Sequence, residues 1–121
     1  MKQLLLTTIT VTSLLAATGF AGPIHNAAFS GNIETVKQHI AAGTDVNAVN
    51  KYGWTPLYEA VTGGHKDIAD LLISKGADVN TMDDDGETPL DWAIFNKDTE
   101  TTNLLSKHGG KTGEELKAEG K

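Results

Sequence analysis

Cysteine is absent from the 121 residues. That excludes a disulfide framework, a zinc site built on thiolates and a cysteine nucleophile. Arginine is absent too: the ten basic residues are all lysines, and sixteen acidic residues bring the formal charge to −6. With no guanidinium to grip phosphate or guanine at two points, and a net charge that repels a polyanion, nucleic-acid binding is not expected. Aromatics are scarce at 6%, and there are three prolines. What is present, 39% hydrophobic residues and thirteen glycines, is ordinary for one small globular domain and too apolar for a disordered acidic chain.

The start of the chain differs from the rest. Lys2 is followed by an apolar, threonine-rich run from Leu4 to Ala17, then by Thr18-Gly19-Phe20-Ala21 with small residues at the last and third-last places. This is the form of a secretory signal peptide, and residues 1–21 are read as one, with cleavage after Ala21. The run of about 14 residues is shorter than the roughly 20 a membrane span needs, and no cysteine follows it to carry a lipid anchor. The mature chain is therefore expected to be free of the membrane. Export without cysteine points to a bacterial periplasm or the cell exterior.

Past the signal, the sequence repeats itself with a period of 33. Gly53-Trp54-Thr55-Pro56-Leu57 returns as Gly86-Glu87-Thr88-Pro89-Leu90, Ala60 as Ala93, Leu71-Leu72 as Leu104-Leu105 and Gly76 as Gly109. One period earlier stand Pro23, Ala27, Gly31, Gly43 and Asp45-Val46-Asn47. A fixed period of this length marks a stacked repeat architecture, in which each unit buries its apolar face only against its neighbours.

Each unit reads as two short helices. Thr55 is a good N-cap and Pro56 suits the first helical turn, where its missing N–H would be unpaired anyway. The first helix is predicted over 56–62 and ends at Gly63-Gly64; the second, over 66–74, puts Ile68, Leu71 and Leu72 on one face and ends at Gly76. Asp78-Val79-Asn80 then opens a hairpin-like loop running to Gly86. The expected core is Leu57, Ala60, Ile68, Leu71, Leu72, Leu90, Leu104 and Leu105. Thr112 and Glu115 form a capping box that starts a short last helix.

The motif Gly53-Trp54-Thr55-Pro56-Leu57, the segment Gly76-Ala77-Asp78-Val79-Asn80 and the period of 33 resemble the ankyrin-repeat family. The resemblance implies an all-α solenoid over residues 22–116, with repeats at about 22–49, 50–82 and 83–115 and a tail at 117–121. Repeat two is nearest the family pattern, repeat one lacks its hairpin, and repeat three drifts at its end, as terminal caps do. The family's Thr-Pro-Leu-His becomes Thr55-Pro56-Leu57-Tyr58 and Thr88-Pro89-Leu90-Asp91, while His25 keeps the histidine position in repeat one. Gln38 and His39, where repeat two has Leu71 and Leu72, read as the polar outer face of an N-terminal cap.

Signs of chemistry are thin. Asp83-Asp84-Asp85-Gly86-Glu87 suggests a calcium loop, but with Gly86 as the turn glycine the first ligand falls on Thr81 and the bidentate glutamate on Trp92. The segment reads as a solvated acidic tip. Gly110-Lys111-Thr112 resembles the end of a phosphate-binding loop, yet the glycine required five residues earlier is Leu105. The histidines at 25, 39, 65 and 108 lack metal-ligand spacing, and none of the four serines lies in a nucleophile elbow. No cofactor, metal site or catalytic residue is assigned.

What the resemblance implies about function is recognition of another protein on the concave surface made by loop tips and first helices. Carried over by register, that surface comprises Lys51, Tyr52, Trp54 and Thr62 from repeat two, Asp84, Asp85, Glu87 and Phe95 from repeat three, Phe29 and Val49 from repeat one, and Met82 closing repeat two. An aromatic centre flanked by acid fits a basic protein partner of a monomer. An inhibitor or immunity-type protein controlling an exported enzyme would use the same surface. A small enzyme or metal-binding protein would need a converged histidine and carboxylate cluster, and a self-associating envelope component would show itself in sedimentation.

Overall fold

The structure, a computed structural model, describes residues 23–120, and the expected signal peptide lies outside them. The described chain runs through seven helices and no strand: α1 (Pro23–Ser30), α2 (Ile33–Ala41), α3 (Pro56–Thr62), α4 (Lys66–Ser74), α5 (Pro89–Phe95), α6 (Thr99–Lys107) and α7 (Gly113–Ala118). The two helices foreseen in repeat two start and stop at the expected residues.

Local chemistry sets these boundaries. Thr55 Oγ1 accepts from the Tyr58 amide at 3.2 Å, and Thr88 forms a full capping box with Asp91. Asn32 and Asp98 cap α2 and α6 in the same way. Between the helices of each pair the chain turns through a left-handed residue, Gly31 at φ 85°, Gly64 at 79° and Lys97 at 57°. These positions are one period apart, so the turn belongs to the repeat even where glycine is absent.

The first helices stack on one another, α1 on α3 and α3 on α5, and the second helices form a parallel layer, α2 on α4 and α4 on α6. Between the layers lies one core. Leu57, Ala60, Ile68, Leu72 and Leu105 are fully buried and Leu90 is nearly so, as expected. Leu71 and Leu104 pack against this core from its margin and are only partly buried. His39 departs from expectation. It shares the register of Leu72 and is buried, not on a polar outer face, because that register points between the layers in every repeat. Its Nδ1 lies 3.4 Å from Thr44 Oγ1, and burial holds its pKa below the ordinary histidine value.

The loops are tied in register. Asn47 accepts from the Asp78 amide at 2.8 Å and donates to Gly76 O at 3.1 Å; one period on, Asn80 accepts from the Lys111 amide at 2.7 Å and donates to Gly109 O at 3.0 Å. Each asparagine thus clamps its own loop to the next repeat by both ends of its amide. Asn80→Ala removes two such bonds and leaves the Lys111 amide unpartnered, so a loss of about 1–3 kcal/mol is expected in urea unfolding. Asn80→Asp, which keeps only the acceptor, should fall between.

The solenoid closes at α7. Where repeats one and two send the chain into a hairpin-like loop, residues 113–118 coil into a helix capped by Thr112 and Glu115. Thr88 Oγ1 donates to Lys111 O at 2.7 Å, the Gly113 amide donates to Asp91 Oδ2 at 2.8 Å, and Leu116 is buried. Among the described residues no helix is long and apolar enough to cross a membrane.

Candidate partner-binding face

The loops preceding α3 and α5 are built to one plan. Asn50 Oδ1 accepts from the amides of Tyr52 and Trp54, and Asp83 Oδ1, one period on, accepts from those of Asp85 and Glu87. In both, the backbone closes across the tip, with Gly53 N bonded to Asn50 O and Gly86 N to Asp83 O. This fixed turn pins the side chains at 51–54 and 84–87 beside the first helices. The oxygens of Asp83, Asp85 and Glu87 come within 4.8 Å of one another, but Asp83 is engaged in folding the turn. Glu87's carboxyl is pushed up, by desolvation first and then by the charges of Asp83, Asp85 and Asp91.

The residue two places after the proline that opens each first helix links that helix to the segment ahead, with a different group each time. His25 Nε2 lies 2.7 Å from Ala48 O, Tyr58 donates its hydroxyl to Asp83, and Asp91 accepts from the Gly113 amide. Burial, and then the hydrogen bond to Asp83, raise the Tyr58 pKa far above its ordinary value, so the phenol stays a donor. The two departures from the family's histidine therefore keep its bridging task. His65 adds a further tie: its Nε2 lies 2.9 Å from Phe29 O.

A row of rings crosses repeats two and three. Tyr52 and Trp54 lie 5.0 Å apart, Trp54 stacks on Tyr58 at 5.5 Å, Tyr58 meets Trp92 edge-on at 6.2 Å, and Trp92 meets Phe95 at 5.4 Å. Lys51 Nζ sits 5.1 Å from the Tyr52 ring centroid. The ends of the row are open, with Tyr52 51% and Phe95 74% exposed, whereas Tyr58 is buried. Trp92, expected as part of the stack, is half-buried and joins the two ends.

The other positions fall around this row. Phe29 and Val49 are exposed, as are Lys51, Asp84 and Asp85; Thr62 and Met82 are half-buried, and Thr62 Oγ1 donates to Glu59 O. Phe29, Thr62 and Phe95 share one register, so exposed rings stand at both ends of that line with a small hydroxyl between them.

Sequence reasoning missed three residues here. Asn26, Ser30 and Glu59 line, with Phe29 and Trp54, a cleft of about 270 Å³ between repeats one and two. Glu59 is 8% exposed, and burial raises its pKa. Among the described residues its carboxylate has no hydrogen-bond or ion-pair partner. The period held the clue: Asn26, Glu59 and Trp92 stand 33 apart, so they share the face that carries Trp92. Ile94, also exposed, lies beside Phe95 outside the expected set.

A helical repeat solenoid with a fixed face of loop tips and first-helix side chains is the class of protein these features define. A family model describing ankyrin repeats in three copies matches residues 24–115, and the chain belongs to the ankyrin-repeat family. Members of this family serve generally as protein-interaction modules without catalysis. No curated protein matches the chain.

Proposed function

We propose that the protein is exported to a bacterial periplasm or the cell exterior and there binds one basic protein partner, as a monomer, on its concave face. Export is supported by Lys2, the Leu4–Ala17 run and the small residues up to Ala21. The observation that carries the binding reading is the row from Tyr52 to Phe95: five rings in mutual contact, open at both ends and held on two tied repeats.

Aromatic side chains held rigid in this way bury large areas on binding without losing much rotamer freedom, which is why they dominate interface energetics. Asp84, Asp85 and the overall charge of −6 favour a cationic partner and speed encounter. Mechanism here is recognition: the partner lies across the row, with the acidic tip at its edge.

The test is affinity capture from envelope and secreted fractions of the native organism, with the purified protein beside a Tyr52→Ala, Trp54→Ala double variant of equal helicity. A protein held by the parent and lost by the variant is the expected result. Equal recovery on both would refute the aromatic face as the binding surface. The captured protein can then be assayed for an activity that the complex changes.

A further inference from the structure

A buried carboxylate without a partner is costly, because nothing within the fold compensates its lost hydration. Glu59 comes close to this: the residue is largely buried and no donor among the described residues meets its carboxylate, whose oxygens keep solvent contact only through the open cleft it lines. It is 8% exposed and sits on α3 between the buried Tyr58 and Ala60. In the same register repeat one has Asn26 and repeat three has Trp92, neither charged. The repeat therefore does not demand an acid here.

Around Glu59 the cleft has the lining of a cation subsite. Trp54 and Phe29 supply aromatic surface, and Asn26 and Ser30 supply neutral oxygen acceptors at the rim. The nearby Tyr52 ring already holds a cation, Lys51, at 5.1 Å. A volume of about 270 Å³ accommodates one side chain and not a folded element. Ring faces attract ammonium and guanidinium groups most strongly where water is excluded, and a desolvated carboxylate pairs most strongly with the same groups.

We propose that this cleft is a subsite for a single lysine or arginine side chain of the partner protein, paired with Glu59 and packed against Trp54. It rests on the concave-face reading above and deepens it: the row of rings gives area, while the cleft selects for charge at one position. A partner residue that is neutral there leaves Glu59 buried and unpaired, so discrimination comes from the unpaired group as much as from the pair formed.

The experiment titrates the full protein at mildly alkaline pH with capped tripeptides, acetyl-Gly-Xaa-Gly-amide, where Xaa is Arg, Lys, Gln or Glu, while following the Trp54 indole N–H by NMR. The Arg and Lys peptides are expected to saturate the shift with affinity about tenfold or more above the Gln peptide, and Glu59→Gln to abolish that preference. Asn26→Asp, at an exposed rim position, is expected to tighten cationic binding about threefold, which keeps the question answerable if Glu59→Gln is misfolded. Equal response to Arg and Gln peptides, or a preference unchanged by both substitutions, overturns the inference. The captured partner separates the two levels. Retention by Glu59→Gln at parental affinity, with loss by the Tyr52→Ala, Trp54→Ala pair, overturns the cleft and leaves the face standing. A partner lost by Glu59→Gln but indifferent to Tyr52→Ala and Phe95→Ala, neither of which lines the cleft, upholds the cleft and removes the wider row of rings as the binding surface.

Discussion

Leu72→Ala is expected to destabilise the protein by about 2–5 kcal/mol, the range for deleting a buried leucine side chain that leaves a cavity. Leu72 is fully buried on α4, in the layer where α4 packs against both α2 and α6. Its loss therefore weakens two inter-repeat contacts at once, and in a one-dimensional stack the middle unit holds the ends together. Since a domain of this size has only about 5–15 kcal/mol in total, the variant should unfold at much lower urea concentration or lose its cooperative transition. Leu71→Ala is the internal comparison: Leu71 meets the core only at its margin, so its cost should be clearly smaller. Circular dichroism through a urea series on both variants checks the order, and a larger loss for Leu71→Ala would mean that the helix is rotated from its described register.

The second large effect is expected at the other end of the solenoid. A Cβ on Gly113 would stand 1.9 Å from Gly86 O and 3.2 Å from Asp91 Oδ2. Backbone cannot yield that far, so Gly113→Ala should push α7 away from the last repeat. With it go the hydrogen bond from the Gly113 amide to Asp91 and the burial of Leu116. A cost of about 3 kcal/mol, the upper end for overpacking, is expected. Hydrogen exchange should show the amides of α7 losing protection first, before those of α3 and α4. Leu116→Ala, which removes the apolar contact without the collision, should loosen the same helix less. Unchanged protection in Gly113→Ala would show that α7 is not seated on Gly86.

The period of 33 made most of this fold legible from sequence. Thr55-Pro56 and Thr88-Pro89 located helix starts, Gly76 located an end, and the Leu71-Leu72 and Leu104-Leu105 pairs located the core-facing side. What periodicity leaves undecided is which of two adjacent leucines is central, because a short helix allows either within its apolar arc; packing places Leu72 and Leu105 inside. His39 was misjudged for a related reason. Residue polarity suggested exposure, while its register, shared with Leu72, put it between the layers.

The candidate face was legible at its exposed positions, since register arithmetic carries loop tips and first-helix residues from one repeat to the next. Glu59 was not, because a charged residue flanked by Tyr58 and Ala60 on an amphipathic helix reads as a solvated one. Only the approach of Phe29 and Trp54 from neighbouring segments encloses it. The bridging of Tyr58 to Asp83 was equally hidden, as it depends on the loop ahead folding back over α3.

The most direct measurement is side-chain footprinting by hydroxyl radicals on the free protein and on its complex with the captured partner. Protection concentrated at Tyr52, Trp54 and Phe95, with the exposed faces of α4 and α6 labelled equally in both states, is the expected result. Protection on α4 and α6 with Tyr52 and Phe95 still fully labelled would contradict binding through the aromatic face.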